Sequence, residues 1–195
     1  RLYVVGGADL ESGLVHRTVE CFDPLGADVR GEWALLSEEM LDARCQFAAT
    51  ALPGQEPALL VCGGGGEGTS HATAEVLSLS GGGGPWRRIA PLAGPRMCHA
   101  AATLGGRVFV SGGCRGDGTP LSCIEQFDPE SGSWSEHSTM SVGRAMHSMM
   151  APSGRLYVLG GARSSVQGSP GLRSVERCEP TDGASQRSDD MLEVL

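Results

Sequence analysis

The sequence predicts an all-β fold built of four-stranded antiparallel blades, and three observations predict it. Apolar residues come in short, regularly spaced runs of strand length. Glycine (30) and proline (11) are abundant among the 195 residues without the collagen period, which suits many tight turns. The runs also recur. Four of them end in a glycine pair, Gly6-Gly7, Gly63-Gly64, Gly112-Gly113 and Gly160-Gly161, so successive copies lie 57, 49 and 48 residues apart. A period of about 50 residues fits one four-stranded propeller blade per repeat.

Each repeat can be read element by element. In the third copy the strands fall at about 98–103, 107–112, 122–127 and 133–137. Gly105-Gly106 suits the hairpin between the first two, because glycine reaches positive φ without a Cβ clash. The glycine pair after the second strand lets backbones approach closely. The third strand alternates: Val19-Glu20-Cys21-Phe22-Asp23-Pro24 matches Ile124-Glu125-Gln126-Phe127-Asp128-Pro129 and Val175-Glu176-Arg177-Cys178-Glu179-Pro180, with Ala74 to Leu79 a weaker copy. Trp33, Trp86 and Trp134 open the fourth strands and are expected to pack between blades, where a large ring buries much area. Met40 to Arg44, Leu92 to Arg96 and Met140 to Arg144 close three units.

The repeats are expected at about 1–44, 45–96, 97–144 and 145–195. The first begins at its second strand and has a longer turn before Trp33. The last is degraded, with Ser185 in the tryptophan place and Leu195 in the arginine place.

The glycine pair, the following aromatic and the tryptophan, in register four times, resemble the kelch-repeat family. The wording of LYVVGG, SCIEQFDPESGSW and MSVGR is most similar to kelch-like proteins that carry an N-terminal BTB domain. That resemblance implies a partial β-propeller of about four blades. Its relatives commonly close with six, about 300 residues at this period, so the chain is expected to be part of a larger propeller. It also implies a protein-interaction module without enzymatic activity: the substrate-recognition propeller of a cullin-RING ubiquitin ligase adaptor, joined to cullin through a BTB domain N-terminal to residue 1. An actin-associated kelch scaffold without a ligase role is the alternative.

Composition excludes other classes. The formal net charge is -8, and Arg87-Arg88 is the sole adjacent basic pair, so neither nucleic acid nor an anionic membrane surface is an expected partner. No run approaches the roughly 18 apolar residues of a membrane span. The seven cysteines form no C-x-x-C pair and read as reduced thiols of a cytoplasmic protein; extracellular disulfides, with Cys114 and Cys123 the nearest candidate pair, are the alternative.

Chemistry-bearing patterns are absent. The stretches Gly63 to Gly66 and Gly81 to Gly84 lack the Lys-Ser/Thr of a phosphate loop. His99 and His147 occupy equivalent places, each three residues after a repeat arginine, but Phe47 fills the same place after Arg44, so packing is expected there and no metal. Tyr3 and Tyr157 lie inside strand motifs, and Glu38, Asp42 and Gln46 miss the iron pattern of nitrile-specifier kelch proteins at the last position. No cofactor is expected.

Arg44, Arg96 and Arg144 fall in the connections between blades, where a planar five-donor fork suits tying neighbours through carbonyls or carboxylates. The alternative sets them toward a ligand at the propeller mouth. The loops joining second and third strands, about 8–18, 65–73, 114–121 and 162–172, are the expected partner-binding region, as they are in the resembled family. Within them Arg115 and Arg163 lead, with Arg17 and Asp117, because arginine is enriched at interface hot spots.

Overall fold

A computed structural model describes residues 1–25, 31–52, 54, 56–66, 69–80, 84–163 and 169–178. The first unit is a three-stranded sheet of β1 (Leu2–Val5), β2 (Val19–Asp23) and β3 (Glu32–Leu35). The second is a four-stranded sheet of β4 (Ala48–Leu52), β5 (Ala58–Cys62), β8 and β9; β6 (Gly65–Gly66) and β7 (Thr69–Ser70) make a small ladder of their own, before β8 (Ala74–Ser78) and β9 (Arg87–Ile89). The third contains β10 (Ala100–Leu104), β11 (Arg107–Ser111), β12 (Cys123–Asp128) and β13 (Ser133–Thr139). The fourth contains β14 (Ser148–Met150), β15 (Leu156–Leu159) and β16 (Val175–Cys178). Every pairing is antiparallel between neighbours in the order of the chain, so each unit is a meander. The longer turn expected before Trp33 and the degraded end of the last repeat lie outside the described residues.

The sheets stack face to face, and the core sits between them. The middle strands are apolar on both faces, and alternate residues serve different neighbours. Leu59, Val61, Leu77 and Trp86 face the first blade, joining Val19, Met40, Tyr3 and Val5. Leu60, Cys62 and Val76 face the third blade, joining Val108, Val110 and Phe127. Phe109 and Ile124 turn the other way, against Leu156 and Val158 of the fourth. No blade therefore has a core of its own, and burial links each to the next. The first strands of successive blades lie side by side, β4 against β10 and β10 against β14. Thr103 fastens one such contact, donating its hydroxyl to the Ala51 carbonyl at 2.6 Å.

The tryptophans depart from equivalence. Trp86 is buried, and Trp134 donates its indole N–H to the Ala90 carbonyl of the preceding blade at 2.9 Å. Trp33 is half exposed and touches Phe22 of its own sheet, ring centres 5.2 Å apart. Among the described residues no blade covers its other face, so the interblade packing expected of it is not present.

Candidate partner-binding face

The mouth of the array is built by the glycine pairs. Gly63 and Gly64 have φ of +64° and +85°, and a Cβ on Gly64 would stand 2.6 Å from the Cys45 carbonyl oxygen. The second strand thus turns sharply where the incoming connection crosses it. Gly113 meets Met97, and Gly161 meets Ala145, in the same way. The residue after each pair then bridges the connection: Cys45 to Gly65, Met97 to Cys114, Ala145 to Ala162. Loops between second and third strands are thereby held beside the interblade connections.

The connections are held by the repeat arginines, all three of which are buried. Each main-chain carbonyl accepts from the second glycine of the blade behind: Gly7 to Arg44 (2.9 Å), Gly64 to Arg96 (2.8 Å) and Gly113 to Arg144 (2.8 Å). Each guanidinium donates forward to a first-glycine carbonyl: Arg44 to Gly63 (2.7 Å), Arg96 to Gly112 (3.2 Å) and Arg144 to Gly160 (2.9 Å). Each also pairs with a third-strand carboxylate, Glu75, Glu125 or Glu176. These carboxylates accept main-chain N–H groups of the connection as well, from Leu41 (2.6 Å), Ala93 (2.9 Å) and Ser141 (2.7 Å). The charges are desolvated; the two terminal nitrogens of each guanidinium are hydrogen-bonded, which helps to offset the cost of burial, while each Nε has no partner among the described residues. One residue per repeat joins two blades. The forks point into the blades and donate there through their terminal nitrogens.

Behind the arginines lie His99 and His147. His99 Nε2 is 3.7 Å from Cys62 Sγ, and His147 Nε2 is 2.8 Å from Ser111 Oγ. Burial, then the neighbouring arginine charge, lowers them to about 3 and about 4, so both are neutral at pH 7. Among the described residues no group of three or more His, Cys, Asp or Glu is placed to hold a metal ion, and no helix is long and apolar enough to cross a membrane.

An open cleft of about 420 Å³ lies at the mouth between the first two blades. Val15 and Arg17 supply one wall, Leu41, Asp42 and Ala43 the floor, and Gly66, Thr69 and His71 the other wall. Arg17 is exposed and meets Glu39 at 3.3 Å. Asp42 is held well below the ordinary carboxylate range, first by its hydrogen bonds from Arg88 at 2.6 and 2.7 Å, with Thr73 and Arg44 adding to them. His71 Nε2 has no hydrogen-bond partner among the described residues. The loop behind Val15 is rigid at its tip, since Asp9 accepts N–H bonds from Glu11 (2.7 Å) and Ser12 (3.0 Å), yet Leu10 is 99% exposed there.

The other residues singled out from the sequence lie on separate loops of this mouth. Arg115 and Arg163 are exposed and equivalent, each two residues past its glycine pair. Asp117 is exposed on the Arg115 loop, where the Thr119 N–H lowers it first and Arg115 contributes less. Arg17 stands on the first blade and does not join them. Sequence reasoning placed Thr69 and His71 only within the loop at 65–73, and it did not single out Leu41. It also missed the partners of the arginines, although the recurring Glu of the third strand was a usable signal.

The comparisons agree with this architecture. The Kelch motif matches residues 95–141. The chain is 38% identical over 131 residues to Kelch-like protein 33 of Homo sapiens, covering 66% of this chain and 22% of that protein. It is 32% identical over 127 residues to Kelch-like protein 24 of Rattus norvegicus, covering 65% and 19%. The chain thus spans about a fifth of the length of the curated relatives it matches. The solved structure of YjhT superposes with a TM-score of 0.71 at 16% identity, over 89% of this chain and 52% of that one, which shows the fold alone. The third blade matches the Kelch motif, the fold is that of a partial β-propeller, and the chain resembles the kelch-like proteins.

Proposed function

We propose that this chain is a protein-interaction propeller, the part of a cytoplasmic cullin-RING ubiquitin ligase adaptor that recognises the substrate. An interaction role fits a mouth that offers exposed side chains on its loops. The observation that carries the reading is the pair of equivalent, exposed arginines, Arg115 and Arg163, standing on a rim whose repeat arginines, Arg44, Arg96 and Arg144, are buried. Charges screen within about 8 Å at physiological salt, so these guanidinium groups, not the distant net charge, set the local preference. They favour a partner segment bearing carboxylates or free carbonyls, with Arg17, Asp117 and the cleft beside Leu41 completing the contact.

Immunoprecipitation of the parent protein followed by mass spectrometry tests this. The expected result is cullin together with a partner protein. Charge reversal of Arg115 and Arg163 should remove the partner and leave cullin bound. Co-sedimentation of the parent protein with actin, and no cullin, would overturn the ligase reading in favour of a scaffold.

A further inference from the structure

We propose that Cys98 and Cys114 form a disulfide when the protein meets a peroxide, stapling the connection between the second and third blades to the mouth loop of the third. The Cys114 thiol reaches the Met97 carbonyl, one residue before Cys98, at 3.7 Å, and is near enough to Cys98 to raise its pKa. The backbone brings them there. Met97 and Cys114 exchange main-chain hydrogen bonds of 2.9 Å in both directions, a narrow antiparallel pair whose Cα atoms stand about 5.5 Å apart. Cys98 is the next residue and has φ of +56°, which takes it out of the strand alternation that would otherwise point its side chain away from its neighbour's. Cys98 therefore follows directly on a residue paired with Cys114, and a disulfide needs Cα atoms within about 7 Å of each other. Cys98 is half-buried and reachable from solvent, whereas Cys114 is fully buried behind it. This is the arrangement of an attacking thiol and a resolving thiol.

The chemistry balances with peroxide as the single oxidant. The Cys98 thiolate attacks one peroxide oxygen, the S–O bond forms, the O–O bond breaks, and water leaves after protonation. The Cys114 sulfur then attacks the Cys98 sulfur, the S–S bond forms, the S–O bond breaks, and a second water leaves. Two thiols lose two protons and two electrons, and the peroxide is reduced to two waters.

The first step is slow at neutral pH. Burial, and then the adjacent Cys114 thiol, push Cys98 up to about 11, so little thiolate exists at pH 7. The oxidation rate should therefore climb about tenfold per pH unit between pH 7 and pH 10, where an ordinary thiol levels off above its pKa of about 8.5.

Hydrogen peroxide treatment of the reduced protein, then denaturation, alkylation and tryptic mapping, tests the bond. Cleavage after Arg96, Arg107 and Arg115 puts Cys98 in peptide 97–107 and Cys114 in peptide 108–115. The expected result is a mass 2 Da lighter and these two peptides joined. Cys98→Met should abolish the link, and the repeat itself places Met146 at that position with the same positive φ. A link from 97–107 to the Cys45 peptide 45–87, oxidation of Cys98 without a link, or full alkylation of both cysteines would overturn the proposal. The wild-type map decides it even if the variant fails to fold, and the outcome does not depend on the partner-binding reading.

Discussion

Replacing His99 and His147 by phenylalanine should remove most of the acid sensitivity of the fold between pH 7 and pH 5. The repeat supplies the precedent, since Phe47 holds the equivalent place in the second blade. Both rings are held neutral in the folded chain, at about 3 and about 4. In the unfolded chain each takes a proton near 6.5. A folded-state value below the unfolded one means that the stability is fully present above pH 6.5 and is lost as pH falls toward the folded value. At pH 5 an unfolded histidine is about 97% protonated, while the folded rings remain largely neutral. Linkage then gives about 2 kcal/mol of lost stability for each ring, about 4 kcal/mol for the pair. With an m-value of about 2 kcal/mol/M, the urea midpoint of the wild-type chain should fall by about 2 M between pH 7 and pH 5. The double variant should show well under half of that drop, whatever its absolute stability at pH 7. An equal drop in both proteins would refute the argument and place the acid-sensitive group elsewhere.

Arg96→Met should cost about 3–5 kcal/mol in urea denaturation, because Glu125 is left buried without its partner; adding Glu125→Leu should recover most of it. Gly113→Ala should destabilise by about 1–3 kcal/mol in the same assay, since φ is +90° and the new Cβ would meet the Met97 carbonyl at 2.7 Å. Trp134→Phe should cost about 1 kcal/mol beyond its packing loss, measured against Trp86→Phe, because only Trp134 gives up a bond to the Ala90 carbonyl. Arg115→Glu with Arg163→Glu should leave the thermal midpoint within about 2 °C while weakening partner capture at least tenfold, because both side chains are exposed.

The fold was legible because its signals are local and repeated. Gly105-Gly106 marks a hairpin whose register, Leu104 opposite Arg107, follows from the two residues alone. The glycine pairs mark crossings that no Cβ tolerates. The mouth was legible as a set of loops, but its contents were not. Glu75 pairs with Arg44 across 31 residues and through a connection, a relation that strand alternation does not encode. The cleft joins Val15 to Thr69 across a blade boundary, and neither residue belongs to a motif. Sequence spacing set Cys114 beside Cys123 and left Cys98 as one of an odd set of thiols. The positive φ at Cys98, a non-glycine residue, was invisible in composition and decides where its sulfur lies. Trp33 carries the same sequence mark as Trp134, yet its environment differs because packing depends on the neighbouring blade and not on the residue.

The arginine clamps divide the chain differently from the sheets. Each clamp closes a segment running from a connection to the third strand of the blade ahead, from Arg44 to Glu75, Arg96 to Glu125 and Arg144 to Glu176. The outermost strand lies beyond every such segment; β13 falls between the second clamp and the third. A cut in the turn at 129–132 severs no clamp, whereas a cut anywhere between Arg96 and Glu125 separates two buried charges. Split or permuted versions opened at that outer turn should reassemble, and the outermost strand is the one that two copies of the chain could trade.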